Sequence, residues 1–86
     1  MPALLVLHDV DDVDHWLKSP KRQELMGPRG FTIRTFVDPT DSSRVGLVVE
    51  GATLGDFEEL LKSDATAEAM KHDGVRPDTV RVLEER

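Results

Sequence analysis

HDVDDVDH, residues 8 to 15, sets four aspartates and two histidines in eight positions of a chain that has no cysteine. Imidazole and carboxylate are the donors a metal ion or a proton-transfer step would use, so this stretch is the first place to look for chemistry. Asp11 and His15 stand four apart, and on a helix they would offer two ligands from one face. Stable sites need three or four, and no third ligand is evident in sequence, so no metal is expected there. The competing reading is a helix start, with Asp9 as the N-cap, Asp12 as the acid three residues on, and Asp11 and Asp14 favoured in the first turns by the helix dipole.

His8 differs from its neighbours because it ends the apolar run ALLVLH, which reads as a strand. A second apolar run, RVGLVVEG, carries Glu50 near its end. If the two strands lie side by side and parallel, His8 and Glu50 fall on one face at matching ends. They would then form a histidine-carboxylate pair, in which Glu50 raises the basicity of the ring that moves a proton on a bound molecule. The plainer reading is a hydrogen-bonded pair that satisfies an interface. Arg34 and Arg81 occupy equivalent positions and would clamp an anion or pair with carboxylates. Trp16 and Met70 look inward from helices, as core or as the lining of a ligand pocket. His72, ahead of Gly74, fits a helix C-terminus and is given no chemistry.

An internal repeat organises the elements that must position these side chains. HWLKSPKRQELM at 15–26 and ELLKSDATAEAM at 59–70 share LKS, then Glu, then Met at one offset, and TIRTF at 32–36 matches TVRVL at 79–83. Each copy reads as a strand, a helix, a second short helix capped by Ser19 or Ser63, a glycine reversal at Gly30 or Gly74, and a charged strand. The predicted plan is α+β: a ferredoxin-like βαββαβ domain spanning 1–86, with halves of about 1–38 and 44–86 and a DPTDSS hairpin between them. Its four-stranded antiparallel sheet has the order 4-1-3-2, with helices on one face and the charged strands at the edges.

Alternation assigns Leu5, Leu7, Phe31, Ile33, Val45, Leu47, Val49, Val80 and Val82 to the helix side. Leu4, Val6, Phe36, Val48 and Leu83, with His8, Thr32, Arg34, Glu50 and Arg81, go to the open side. An open face this apolar predicts a homodimer packed sheet against sheet. Eighty-six residues with three Phe, one Trp and no Tyr make a thin core, which points the same way. A net charge of -6 without a cluster of Lys and Arg argues against nucleic acid and against a charged membrane surface. With no long apolar run, leader pattern or disulfide framework, the expectation is a cytoplasmic protein. No cofactor or nucleotide motif is visible, so no cofactor is expected.

Three segments, LHDVDDVDHW, DPTDSSRVGLVVE and LKSDATAEAMKHDGVRPDTVRVLEE, together resemble the dimeric α+β barrel superfamily. Its best-known branches are the antibiotic biosynthesis monooxygenases and related cyclase-like proteins. The resemblance implies a homodimer whose two sheets form a barrel, holding a small hydrophobic or aromatic molecule between sheet and helices. The activity it implies is a cofactor-independent monooxygenase or cyclase. The alternative is a non-enzymatic ligand-binding or accessory module built on the same fold.

Overall fold

The structure, a computed structural model, describes residues 3–86. Its elements run β1 (Ala3–Val10), α1 (Val13–Lys18), α2 (Lys21–Met26), a 3-10 turn (Gly27–Arg29), β2 (Thr32–Val37), β3 (Arg44–Glu50), α3 (Leu54–Leu61), α4 (Asp64–Asp73) and β4 (Val75–Glu84). The four strands form one antiparallel sheet in the order β2-β3-β1-β4. The apolar strands β1 and β3 are central and the charged strands are at the edges, as their composition predicts.

Local chemistry accounts for the boundaries. Thr53 and Asp56 form the reciprocal capping box at the start of α3, and Ser63 accepts from the Thr66 N–H to cap α4. Ser19 Oγ accepts from the Lys21 N–H at 3.2 Å, so it serves α2 even though Pro20 occupies the cap position. Gly30 and Gly74 end their helical segments at φ 79° and 71°, the left-handed conformation that reverses the chain. In the hairpin, Asp38 Oδ1 accepts from the Thr40 N–H and hydroxyl, and Asp41 Oδ1 does the same with Ser43. These bonds favour the ionised form and hold both carboxyls below the usual carboxylate range.

One cap lies elsewhere than expected. Asp9 remains in β1, opposite Arg44 of β3 and Arg76 of β4, so the first helix begins three residues later. Asp12 is its N-cap, accepting from the His15 N–H. Pairing of Asp9 and Val10 on both sides of β1 outweighs the helical turn that the repeat would place there.

The register also corrects the reading of the faces. Across the helix side run the rows Ile33–Val49–Leu4–Glu84, Thr35–Leu47–Val6–Val82 and Val37–Val45–His8. Across the open side run Arg34–Val48–Leu5–Leu83 and Phe36–Gly46–Leu7–Arg81. Three strands face as expected, whereas β1 is inverted: Leu4, Val6, His8 and Val10 go under the helices and Leu5 and Leu7 go out. Every residue from Ala3 to Leu7 is apolar, so alternation carries no signal in this strand. The core beneath the helices is built on Leu4, Val6, Val10, Trp16, Val45, Val49, Phe57 and Leu60.

Candidate functional site

The predicted His8–Glu50 pair does not form. β1 and β3 are antiparallel, so His8 lies opposite Val45 while Glu50 lies opposite Ala3 at the far end, on the other face. Glu50 pairs instead with Arg34 of the neighbouring strand, at 2.9 Å. Arg81 is also on the open face, donating to the Asp78 and Val80 carbonyls. Arg81 shares a surface pocket with His8, Asp9 and Asp78 but bonds to neither side chain of the predicted histidine–carboxylate pair.

What His8 meets is a cavity of about 70 Å³ between sheet and helices. Val6, Leu47 and Val80 of the sheet line it, with Trp16, Phe57 and Met70 from the helices. Two of the sequence candidates, Trp16 and Met70, therefore share this cavity with His8, and Arg34 and Arg81 do not. The His8 ring is 6% exposed and packs edge-on against Trp16, with ring centroids 5.5 Å apart.

Two charged residues that sequence reading passed over complete the wall. Arg22 enters from α2, its guanidinium 4.0 Å above the Trp16 ring and its Nη1 donating to the Trp16 carbonyl at 2.8 Å. Asp73 comes from the end of α4, is 3% exposed, and stands 3.8 Å from Arg22. A faint signal marks both in sequence. Arg22 precedes Leu25 and Met26, and Asp73 follows Thr66, Ala69 and Met70, so each is a charge on an otherwise inward helical stripe.

The electrostatics follow from burial. Desolvation lowers the His8 pKa below 6.5, and the Arg22 charge lowers it further, against the opposing carboxylates Asp9 and Asp73. His8 is thus a neutral imidazole near pH 7. Desolvation lowers the pKa of Arg22 as well, opposed by Asp73, yet a guanidinium remains protonated. Both residues keep a buried atom with no hydrogen-bond partner, Nδ1 of His8 and Nε of Arg22. Orphaned polar atoms beside an apolar void are uncommon, since each forfeits its desolvation cost. The arrangement couples a neutral base to a fixed cation, which can take a proton from a small acid and stabilise the anion left behind.

At the outer rim, Gly74 brings α4 against the start of α1. Its carbonyl accepts from the Asp11 N–H, and Asp11 pairs with Arg76 at 2.9 Å. Asp11 is therefore engaged by β4 and does not act with His15.

Compared with known proteins, the chain matches no family model. It is similar over its full length to a crystal structure of an antibiotic biosynthesis monooxygenase, with TM-score 0.64 and 12% identity, covering 97% of that chain. A Deinococcus radiodurans structure provisionally given the same activity matches with TM-score 0.59 and 14% identity over 100% of this chain and 91% of the other. The de novo designed protein Ferredog-Diesel matches with TM-score 0.52 and 16% identity, over 96% of this chain and 84% of the design. These likenesses establish the fold: the chain has the ferredoxin-like α+β architecture of antibiotic biosynthesis monooxygenase structures. Among curated proteins, a "Probable thymidylate kinase" from Methanosphaera stadtmanae is 36% identical over 64 residues, which is 74% of this chain and 29% of that protein. The chain spans less than a third of that relative, and its sequence contains no GxxxxGK[ST] phosphate loop.

Proposed function

We infer that this antibiotic-biosynthesis-monooxygenase-like fold works as a homodimeric barrel protein that takes a small hydrophobic molecule into the cavity under the helices. The observation that carries the reading is the pair of unpartnered buried atoms, His8 Nδ1 and Arg22 Nε, on the wall of one apolar cavity. A ligand with an apolar body and one acidic O–H or C–H group satisfies both. His8 accepts the proton and the guanidinium meets the resulting anion. That step is what a cofactor-independent monooxygenase or cyclase requires before its substrate reacts further. His8 keeps the catalytic role proposed from sequence, with Arg22 in place of Glu50 as its partner. Trp16 and Met70 supply apolar lining.

Size decides what enters. The volume of about 70 Å³ is roughly half that of an apolar cavity of ~150 Å³ that accepts benzene. Substituted aromatics therefore need Met26, Met70 or Leu25 to move aside, and the unbranched methionines are suited to that. The same smallness favours a second reading, a non-enzymatic binding or accessory module, because the large side chains Trp16 and Phe57 are fully buried against the cavity.

Titration of phenol, indole and short-chain enols, followed by fluorescence of the single tryptophan, separates the two readings. Saturable quenching is expected, and Ala69→Leu should suppress it by filling the cavity from a lining position. Oxygen uptake or substrate isomerisation lost in His8→Ala, with ligand binding retained, supports the enzyme. Absence of any saturable response across the panel removes the ligand-binding function.

A further inference from the structure

We propose a divalent transition-metal site formed by His15, His72 and Asp73 at the rim of the cavity. One ligand atom from each of these residues lies within 4.8 Å of the others. His15 comes from α1 and the other two from the last turn of α4. His15 and His72, 57 positions apart, are brought together by the Gly74 reversal and its bond to the Asp11 N–H.

The donor set is two imidazoles and one carboxylate, which suits zinc, cobalt or nickel and leaves coordination positions for water. Its geometry is close to what an ion demands. Ligand atoms about 2.1 Å from a common ion are about 3.4 Å apart at a tetrahedral centre and about 3.0 Å apart at an octahedral one, and His72 Nδ1 already stands 2.9 Å from Asp73 Oδ1. His15 is exposed and its ring centroid is 5.2 Å from that of His72, so a side-chain rotation brings it into range. It presently donates from Nε2 to the His72 carbonyl at 2.8 Å, a bond that tethers the ring beside the site.

Three surroundings bear on affinity. The helix C-terminus presents partial negative charge to a cation. Asp73 is nearly buried, and Arg22 faces its other oxygen at 3.8 Å, without a hydrogen bond, as an outer partner that orients the carboxylate. The Arg22 charge also opposes a cation, so affinity in the micromolar range is expected rather than tighter. Because Asp73 lines the cavity, a bound ion would place a coordinated water between solvent and the interior. The site shares Arg22 and Asp73 with the cavity wall, but its two histidine ligands take no part in the His8–Arg22 reading, so loss of metal binding and loss of ligand binding are separately measurable.

The test is titration of untagged protein with zinc by calorimetry and with cobalt by visible absorption. One equivalent per chain and a cobalt d–d band are expected. His15→Ala and His72→Ala remove exposed rings and should leave the fold, checked by circular dichroism, unchanged. Each should weaken binding by more than the about tenfold loss that follows removal of an outer partner. Asp73→Asn should weaken it as well, and if that variant misfolds the two histidine variants still decide. No binding below millimolar metal overturns the proposal, as does binding that survives both histidine substitutions.

Discussion

His8 is a histidine that folding moves from an expected surface to an interior, and the move fixes its protonation. Buried against Trp16 and near Arg22, it is held neutral, with a pKa below the 6.5 of a free imidazole. As pH falls past 6.5 the unfolded chain takes up the proton before the folded chain does. Stability is therefore unaffected by His8 above that pH and declines below it, until the folded pKa is also passed. His8→Phe should remove this component. Thermal melts between about pH 5 and 7 should show a shallower loss on the acid side for His8→Phe than for the parent. Equal slopes would mean that the ring takes up its proton alike in the folded and unfolded chain and would withdraw the depressed pKa. Glu50, the partner assigned from sequence, is tied up by Arg34 on the other face. The mispairing came from treating two neighbouring strands as parallel, although the antiparallel sheet predicted from the same sequence, with strand 1 beside strand 3, already requires them to run in opposite directions.

Among the elements, the four strands, four helices and both glycine reversals were legible because each has its own local cause: β-branched runs, capping oxygens and a left-handed glycine. The start of α1 was not, because the repeat equates Asp9 with Thr53 while tertiary pairing keeps Asp9 in the sheet. The difference is measurable. Thr53→Ala and Asp12→Ala each remove a helix cap and should cost about 1 kcal/mol in urea denaturation. Asp9→Ala removes only a partly exposed contact with Arg44 at 3.6 Å and should cost less than about 0.5 kcal/mol. A larger loss for Asp9 than for Asp12 would place the cap at Asp9 after all. The face of β1 was illegible for a different reason. ALLVL satisfies either side, and only its register against β3, which sets Leu7 on Gly46, decides. A side chain at Gly46 would bring Cβ to 3.0 Å from Leu7 Cδ2, so the glycine lets Leu7 lie flat over the strand. Arg22 and Asp73 were missed because an inward charge is visible in sequence only once the inward stripe is known.

For the whole molecule, the open sheet face is the feature that a lone chain leaves unresolved. Leu7 is 37% exposed, and Phe36 and Leu83 are each 52% exposed. They stand in adjacent rows with Leu5 and Val48, flanked by Arg34, Glu50 and Arg81. This is an apolar centre with a charged rim, the anatomy of an interface. The inversion of β1 exchanges Leu4 and Val6 for Leu5 and Leu7 on this face, so its apolar character survives the correction. A thin core gives a second reason for pairing, since covering this face adds apolar burial to the modest amount a small domain buries by itself. Burying Phe36 and Leu83 is worth about 1.5–3 kcal/mol for each side chain. The double substitution Phe36→Ser and Leu83→Ser should therefore weaken a dimer by a hundredfold or more. Sedimentation equilibrium at micromolar concentration should find the parent as a dimer and the double variant as a folded monomer with unchanged helical circular dichroism. The Arg34–Glu50 pair, now solvent-exposed, would stay at the rim of the dimer, so Glu50→Ala should weaken association far less than the double substitution does. A monomeric parent under these conditions rejects the barrel dimer, and leaves the cavity and the rim histidines to be explained within one chain.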